Sequence, residues 1–146
     1  MHLAKLNSDL FMLTEEKSVE QVRAGIIALE QEVLNLPQIN FEVKYYIAGG
    51  MVAKELFLPK DSIVTGKIHL KEHLVHVSLG HVIVVEDTQR YSVRGPCTFV
   101  GKAGSKRAVL VLEDTVWTAF HTTTKNTIEE CEAELVTNDY KLLELK

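Results

Sequence analysis

The chain holds only two cysteines, Cys97 and Cys131, in 146 residues. One falls in an expected turn and the other in an expected helix. Nothing in the sequence points to export, so no disulfide framework is expected. No apolar run approaches the ~20 residues of a membrane span. The first stretch, "MHLAKLNSDLFML", is broken by Lys5, Asn7 and Asp9 and so lacks the pattern of a signal peptide. The cytoplasm is the expected compartment, and no membrane partner is expected. Positive charge is also scarce. Sixteen Lys and Arg stand against twenty Asp and Glu, a net charge of −4 with both signs scattered. Binding nucleic acid by charge alone is not expected. A local basic spot at Lys102, Lys106 and Arg107 is the one exception considered.

Catalytic signatures are missing too. No glycine-rich phosphate loop follows a strand, and "AGG" at 48–50 is short enough to be a turn. Ser78, Ser92 and the two cysteines have no diagnosable nucleophile context. Cys97 reads as a small apolar filler, Glu113-Asp114 as a solvated turn, and Trp117 as a core or interface residue. Internal repeats and low-complexity segments are absent.

What is present is the balance of a globular domain: 46% hydrophobic and 25% charged residues over a length typical of one domain. Three parts are expected: a helical extension over 1–40, a β-rich body over 41–124, and a helix with a tail over 125–146. In the first, "SVEQVRAGIIALEQEVLN" (18–35) sets Val19, Val22, Ile26, Leu29 and Val33 on one stripe. Ser18 and Gln21 have capping-box spacing, and Pro37 ends the pattern. The stripe needs cover, either from its own domain or from another copy of the chain. In the body, short runs rich in Val, Ile, Phe and Thr alternate with turn residues and with no helix between them. That pattern predicts an all-β sandwich or barrel rather than a parallel βαβ sheet. Finally, "KNTIEECEAELV" (125–136) predicts a closing helix capped by Asn126 or Thr127.

Four of the six histidines crowd into "GKIHLKEHLVHVSLGHVIV" (66–84): His69, His73, His76 and His81. Four residues of extended chain cover about 13 Å. Two imidazole nitrogens on one ion cannot be more than about 4.2 Å apart. A straight strand therefore cannot join His69 to His73, whereas a turn at Leu70-Lys71-Glu72 brings the rings together. By alternation His76 faces away from His73, and His81 lies beside a turn at Gly80.

This stretch resembles the first motif of the cupins, small jelly-roll barrels (double-stranded β-helices). That motif is a glycine, His-x-His, a glutamate and a later glycine. Gly66, His69 and Gly80 match it, Lys67 replaces the first histidine, and His73 replaces the glutamate. The second motif, Pro-x-Gly-x-x-His, is similar to "KAGSKR": Gly104 matches, Lys102 replaces the proline and Arg107 the histidine. The runs around 51–84 and 104–123 look most like a group of cupin-like proteins of tailed-phage genomes. The resemblance implies a mainly β barrel that pairs as a dimer or larger homo-oligomer. It also implies residence in a host cytoplasm or in a virion.

The departures matter for chemistry. Arginine does not ligate cations, and a charged lysine repels them. The usual four-ligand metal site of the family is thus dismantled. Three readings follow. In the first, a non-catalytic barrel takes a small ligand, an anion among the candidates, or a protein partner. Lys67, His69, His73 and Arg107 frame its pocket, with Glu55 as counter-ion. In the second, a metal-dependent enzyme holds Fe, Mn or Zn on His69 and His73, with Glu55 or His121 completing the set. The third is a structural, virion-associated protein whose barrel only presents surfaces.

Overall fold

The computed structural model describes residues 18–87 and 89–139. Helix α1 (Val19–Leu34) begins at Ser18, whose side chain accepts from the Gln21 N–H while the Gln21 side chain accepts from the Ser18 N–H. This is the expected capping box. The apolar stripe is covered by the chain's own sheet. Val22, Ile26 and Leu29 pack on Val85, Ala108 and Leu110, so the alternative of another copy on this stripe does not hold. Each such side chain contributes on the order of 1.5–3 kcal/mol.

Among the described residues nine strands follow, running from β1 (Glu42–Ala48), β2 (Met51–Leu58), β3 (Ile63–Thr65), β4 (Ile68–His69) and β5 (His73–Glu86) to β6 (Gln89–Arg94), β7 (Cys97–Gly101), β8 (Ala108–Thr122) and β9 (Val136–Thr137). Helix α2 (Ile128–Leu135), capped by Thr127, precedes β9. Every strand pair is antiparallel. The main sheet runs β1-β2-β8-β5-β6, with β3 on β8 and β7 on β5. Gly49 and Gly50, both at positive φ, close the β1–β2 hairpin.

The sequence reading divided β5 at Gly80 and β8 at Glu113-Asp114. Both strands instead continue through. Their ladder is irregular between Val77 and Val82, where Gly80 sits at φ 106°. A Cβ there would overlap Thr115 Oγ1 and the Asp114 backbone. Gly80 therefore marks a bulge rather than a chain reversal. At this bend the sheet folds over. The core between its halves joins Val75, Val77 and Trp117 of one half to Val82, Val84, Val109 and Val111 of the other.

Helix α2 covers one end, with Cys131 and Leu135 packed on Val52. Both cysteines are free thiols. Among the described residues no helix is long and apolar enough to cross a membrane. The N-terminal stretch read as lacking a signal peptide and the tail beyond 139 lie outside the described residues. Lys106 and Arg107 do not form a surface basic spot. Both are buried, and both are paired with carboxylates, Glu30 and Glu86.

Candidate functional site

The two-residue strand β4 presents His69. The chain turns through 70–72 and enters β5 at His73. A second loop holds β4 in place. The His69 N–H donates to Ser105 O at 2.9 Å and the Gly104 N–H donates to His69 O at 2.7 Å. His121 comes from the inward face of β8, which it shares with Trp117 and Ala119 by alternation. The ring centroids lie 4.1 Å apart for His69–His73, 4.4 Å for His73–His121 and 5.2 Å for His69–His121. His69 and His121 are nearly parallel, at 7°, and joined Nδ1 to Nε2 at 3.1 Å. One of these two nitrogens carries a proton and the other a lone pair. Of the outer nitrogens, His69 Nε2 and His121 Nδ1, a neutral pair therefore offers one donor and one acceptor.

The rings are held neutral. Burial, followed by the neighbouring His73 and Arg107, pushes His69 down to about 2 and His121 down to about 4. Burial also lowers His73, against an opposing backbone hydrogen bond at Lys71. In that bond His73 Nδ1 lies 3.0 Å from Lys71 O, which fixes the proton on Nδ1. Nε2 then faces Arg107 Nη1 and Nη2, each at 3.4 Å.

Behind His73 a buried polar chain runs inward. Arg107 Nε donates to Glu86 Oε2 at 2.9 Å, and Tyr91 Oη donates to Glu86 Oε1 at 2.6 Å. Burial and the Glu86 hydrogen bond raise the Tyr91 hydroxyl, keeping it protonated. The guanidinium carbon lies 5.9 Å from both the Phe99 and Trp117 rings, a cation–π setting. Gly101 leaves the room for this stack, since a Cβ there would overlap His73 and Arg107.

A cavity of about 550 Å³ opens onto His69 and His121. Leu56, Leu58, Val64, Val109 and Trp117 supply apolar wall, and α2 contributes Glu132 and Leu135. On one side Lys54 Nζ lies 3.4 Å from Glu132 Oε1, which also accepts from Tyr45 Oη at 3.0 Å. Burial, then Glu132, pushes the Tyr45 hydroxyl up to about 12. Lys67 is exposed at the rim, with no carboxylate in ion-pair range among the described residues.

The structure thus brings together His69, His73 and His121, and sets Lys67 and Arg107 on the same cavity. Two sequence expectations need correction. Glu55 faces the other side of β2, because Lys54 and Leu56 take the inward positions; it is neither counter-ion nor third ligand. Arg107 is no open cationic arm, because Glu86 neutralises it. His76 and His81 bond to Thr98 and Ser92, away from the cluster. The sequence reading missed Lys54, Tyr45, Glu132, Glu86 and Gly101. The signal available for Lys54 was the hairpin at Gly49-Gly50, which pairs Lys54 with Tyr45.

Three imidazoles whose ligand atoms lie within 4.8 Å of one another could hold a metal ion, and their neutrality suits one. The arrangement observed only partly fits an ion. His69 Nδ1 and His121 Nε2 have a suitable separation, since two bonds of ~2.1 Å span 3.1 Å at an angle near ~95°. His73 has both nitrogens engaged, one of them by a cation. The lone pairs of His69 Nδ1 and His121 Nε2 both face an ion only after the proton shared between these two nitrogens moves to an outer nitrogen, and the third ligand needs Arg107 to move.

No protein-family model matches the chain, and no curated protein matches it in sequence. Solved structures do resemble it. KdgF from a Halomonas species superposes with a TM-score of 0.51 at 11% identity, over 62% of this chain and 87% of that one. A conserved Streptococcus pyogenes protein of unknown function gives 0.50 at 15% identity, over 62% and 80%. A cupin-superfamily protein from Desulfitobacterium hafniense gives 0.47 at 9% identity, over 62% and 84%. Likeness at these identities is likeness of fold, and fold does not carry function. The mainly antiparallel β architecture, with a helix on the N-terminal side of the main sheet and another on its C-terminal side among the described residues, is the one expected.

Proposed function

We propose that the chain is a non-catalytic binding protein whose cavity takes up a small organic anion with an apolar body. The carrying observation is a cavity of about 550 Å³ with apolar walls and a cationic excess. Among the described residues three that line it, Lys54, Lys67 and Arg107, are cationic, while Glu132 is the one lining carboxylate. Glu132 answers Lys54 and the buried Glu86 answers Arg107, which leaves Lys67 at the rim to face the anionic head. The apolar body then lies against Leu56, Val109 and Trp117, where area burial supplies affinity. The His69–His121 pair gives one donor and one acceptor to a polar group that reaches it.

Calorimetric titration with octanoate and benzoate, each beside its uncharged amide, tests this reading. Carboxylates bind more tightly than amides, and Lys67→Ala weakens the carboxylates about 5-fold, as for one exposed ion pair, while leaving the amides alone. Equal affinity for acid and amide, or no binding of either, sinks it.

A divalent transition ion on the three imidazoles is the second reading, favoured by their clustering. It rests on Arg107 releasing His73. Zn²⁺, Mn²⁺ and Fe²⁺ titrations separate the two readings. In the metal reading Arg107→Met tightens binding and His121→Ala abolishes it. If neither variant changes metal uptake, the imidazoles are not the ligands.

A further inference from the structure

Lys67 sits on the short link between β3 and β4, next to Gly66. Residues 64–67 line two spaces at once. One is the cavity above the histidines, and the other is a groove beside the C-terminal half of α1 that Glu30, Val33 and Leu34 also line. The link is thus a partition between them. Packing does not confine it. Beyond its chain neighbours, no described atom stands within 4 Å of where a Cβ at Gly66 would be, and a glycine backbone is the freest to move. Polar contacts fix the link instead. The Gly66 N–H donates to Arg107 O at 3.2 Å. Gly66 O accepts from Lys106 Nζ at 3.0 Å. That carbonyl shares a peptide plane with the Lys67 N–H, so its orientation sets the direction in which Lys67 leaves the chain. Lys106 is itself aimed by α1. Its Nζ lies 3.1 Å from Glu30 Oε2, which also accepts from Thr65 Oγ1 at 2.8 Å.

We propose that the Glu30–Lys106 pair is a positioning element for Lys67, holding that charge at the cavity rim; its use for a ligand rests on the anion reading given above. Seating α1 does not call for the pair. Val22, Ile26 and Leu29 already bury the helix against the sheet, and a buried ion pair adds little stability over apolar residues of its size. The pair supplies direction. The Lys106 side chain is 3% exposed, so its ammonium is held to the acceptors around it rather than to water. Those acceptors come from α1 and from the link, and Thr65 of β3 joins at the same carboxylate oxygen. Helix, strand and link therefore meet at one point, and the place of α1 sets the place of the rim cation. Neither Glu30 nor Lys106 lines the cavity, so the pair acts through Lys67 alone.

Calorimetric titration of the full chain with benzoate and benzamide, together with hydrogen exchange at the Gly66 amide, tests the proposal. Glu30→Leu with Lys106→Met removes both charges and frees the Gly66 carbonyl. Benzoate affinity falls about 5-fold and benzamide affinity stays. Adding Lys67→Ala to this background changes nothing more, whereas in the wild type it alone costs about 5-fold. Exchange at Gly66 accelerates at least ~10-fold, while the His69 amide, bonded to Ser105 O, keeps its protection. Val22→Ala, about 12 Å along α1 from Glu30, lowers Tm and leaves both readouts unchanged, which separates positioning from mere stability. Where the double variant fails to fold, Lys106→Met alone decides, because Glu30 is 27% exposed and keeps both water and Thr65. A wild type that prefers benzoate beside a variant that keeps the preference overturns the proposal and leaves the anion reading standing. A wild type that takes both compounds alike overturns the anion reading and the ligand role of the pair with it. Unchanged exchange at Gly66 overturns the positioning itself, whatever the ligand.

Discussion

Glu86→Gln tests the electrostatic support of the site. The Glu86 and Arg107 side chains are 14% and 6% exposed, and the bond between them is 2.9 Å long. Glutamine keeps the size and one oxygen acceptor but removes the negative charge. Arg107 cannot neutralise itself, because its guanidinium stays protonated at any ordinary pH. Its other neighbours include the neutral His73, the protonated Tyr91 hydroxyl and the faces of Phe99 and Trp117, none of which balances a full charge. Stranding one member of a buried pair costs about 3–5 kcal/mol. Retention of an acceptor places this variant at the lower end, about 3 kcal/mol, or about 10 °C in Tm for a chain of this size. Urea denaturation at pH 7, analysed by linear extrapolation, measures it. The double variant Glu86→Leu with Arg107→Met removes both charges and recovers most of the loss, since an apolar replacement of a buried pair is near neutral. A single-variant loss below about 1 kcal/mol would falsify the claim that Glu86 holds Arg107. So would a double variant as unstable as the sum of its parts.

Two further perturbations probe the same region. The folded values of His69 and His121 are lowered to about 2 and about 4 from 6.5, so the unfolded chain binds more protons and stability falls as pH drops below 6.5. From pH 6.5 to 5.5 the two groups together cost about 2 kcal/mol, a loss that His69→Gln with His121→Gln removes; a flat wild-type profile over that interval contradicts neutral burial of the pair. Gly101→Ala forces a methyl group into the His73–Arg107 contact and is expected to cost about 1–3 kcal/mol by overpacking; an unchanged urea midpoint shows that the stack is looser than described.

How much of this was legible in the sequence depends on what each signal measures. Period and punctuation report local structure, so α1 with its capping box, the β-rich body and the closing helix were all readable. A glycine at positive φ looks the same in a turn and in a bulge, so Gly80 suggested two strands where one long strand bends. Alternation assigns side chains to faces within a strand but not between strands. It placed His76 away from His73 correctly, yet it did not decide whether Glu55 or Lys54 points inward. That choice depends on the β2–β8 register, set by residues about 65 positions apart.

The same limit explains Arg107. From sequence it framed the pocket with Glu55 as counter-ion, because nothing local names its true partner. Glu86 stands 21 residues earlier in the chain, and nothing local ties it to Arg107. Once the bend in β5 folds one half of the sheet over the other, Glu86 faces Arg107 and the arginine becomes part of the scaffold. The charge left to meet a ligand is then Lys67, and the polarity left at the cavity floor is that of two uncharged rings. In the binding reading proposed above, recognition would therefore rest on apolar fit and a single rim cation rather than on a cationic floor. The sequence set Lys67 and Arg107 in one frame, but only register and burial show which of these charges is already paired.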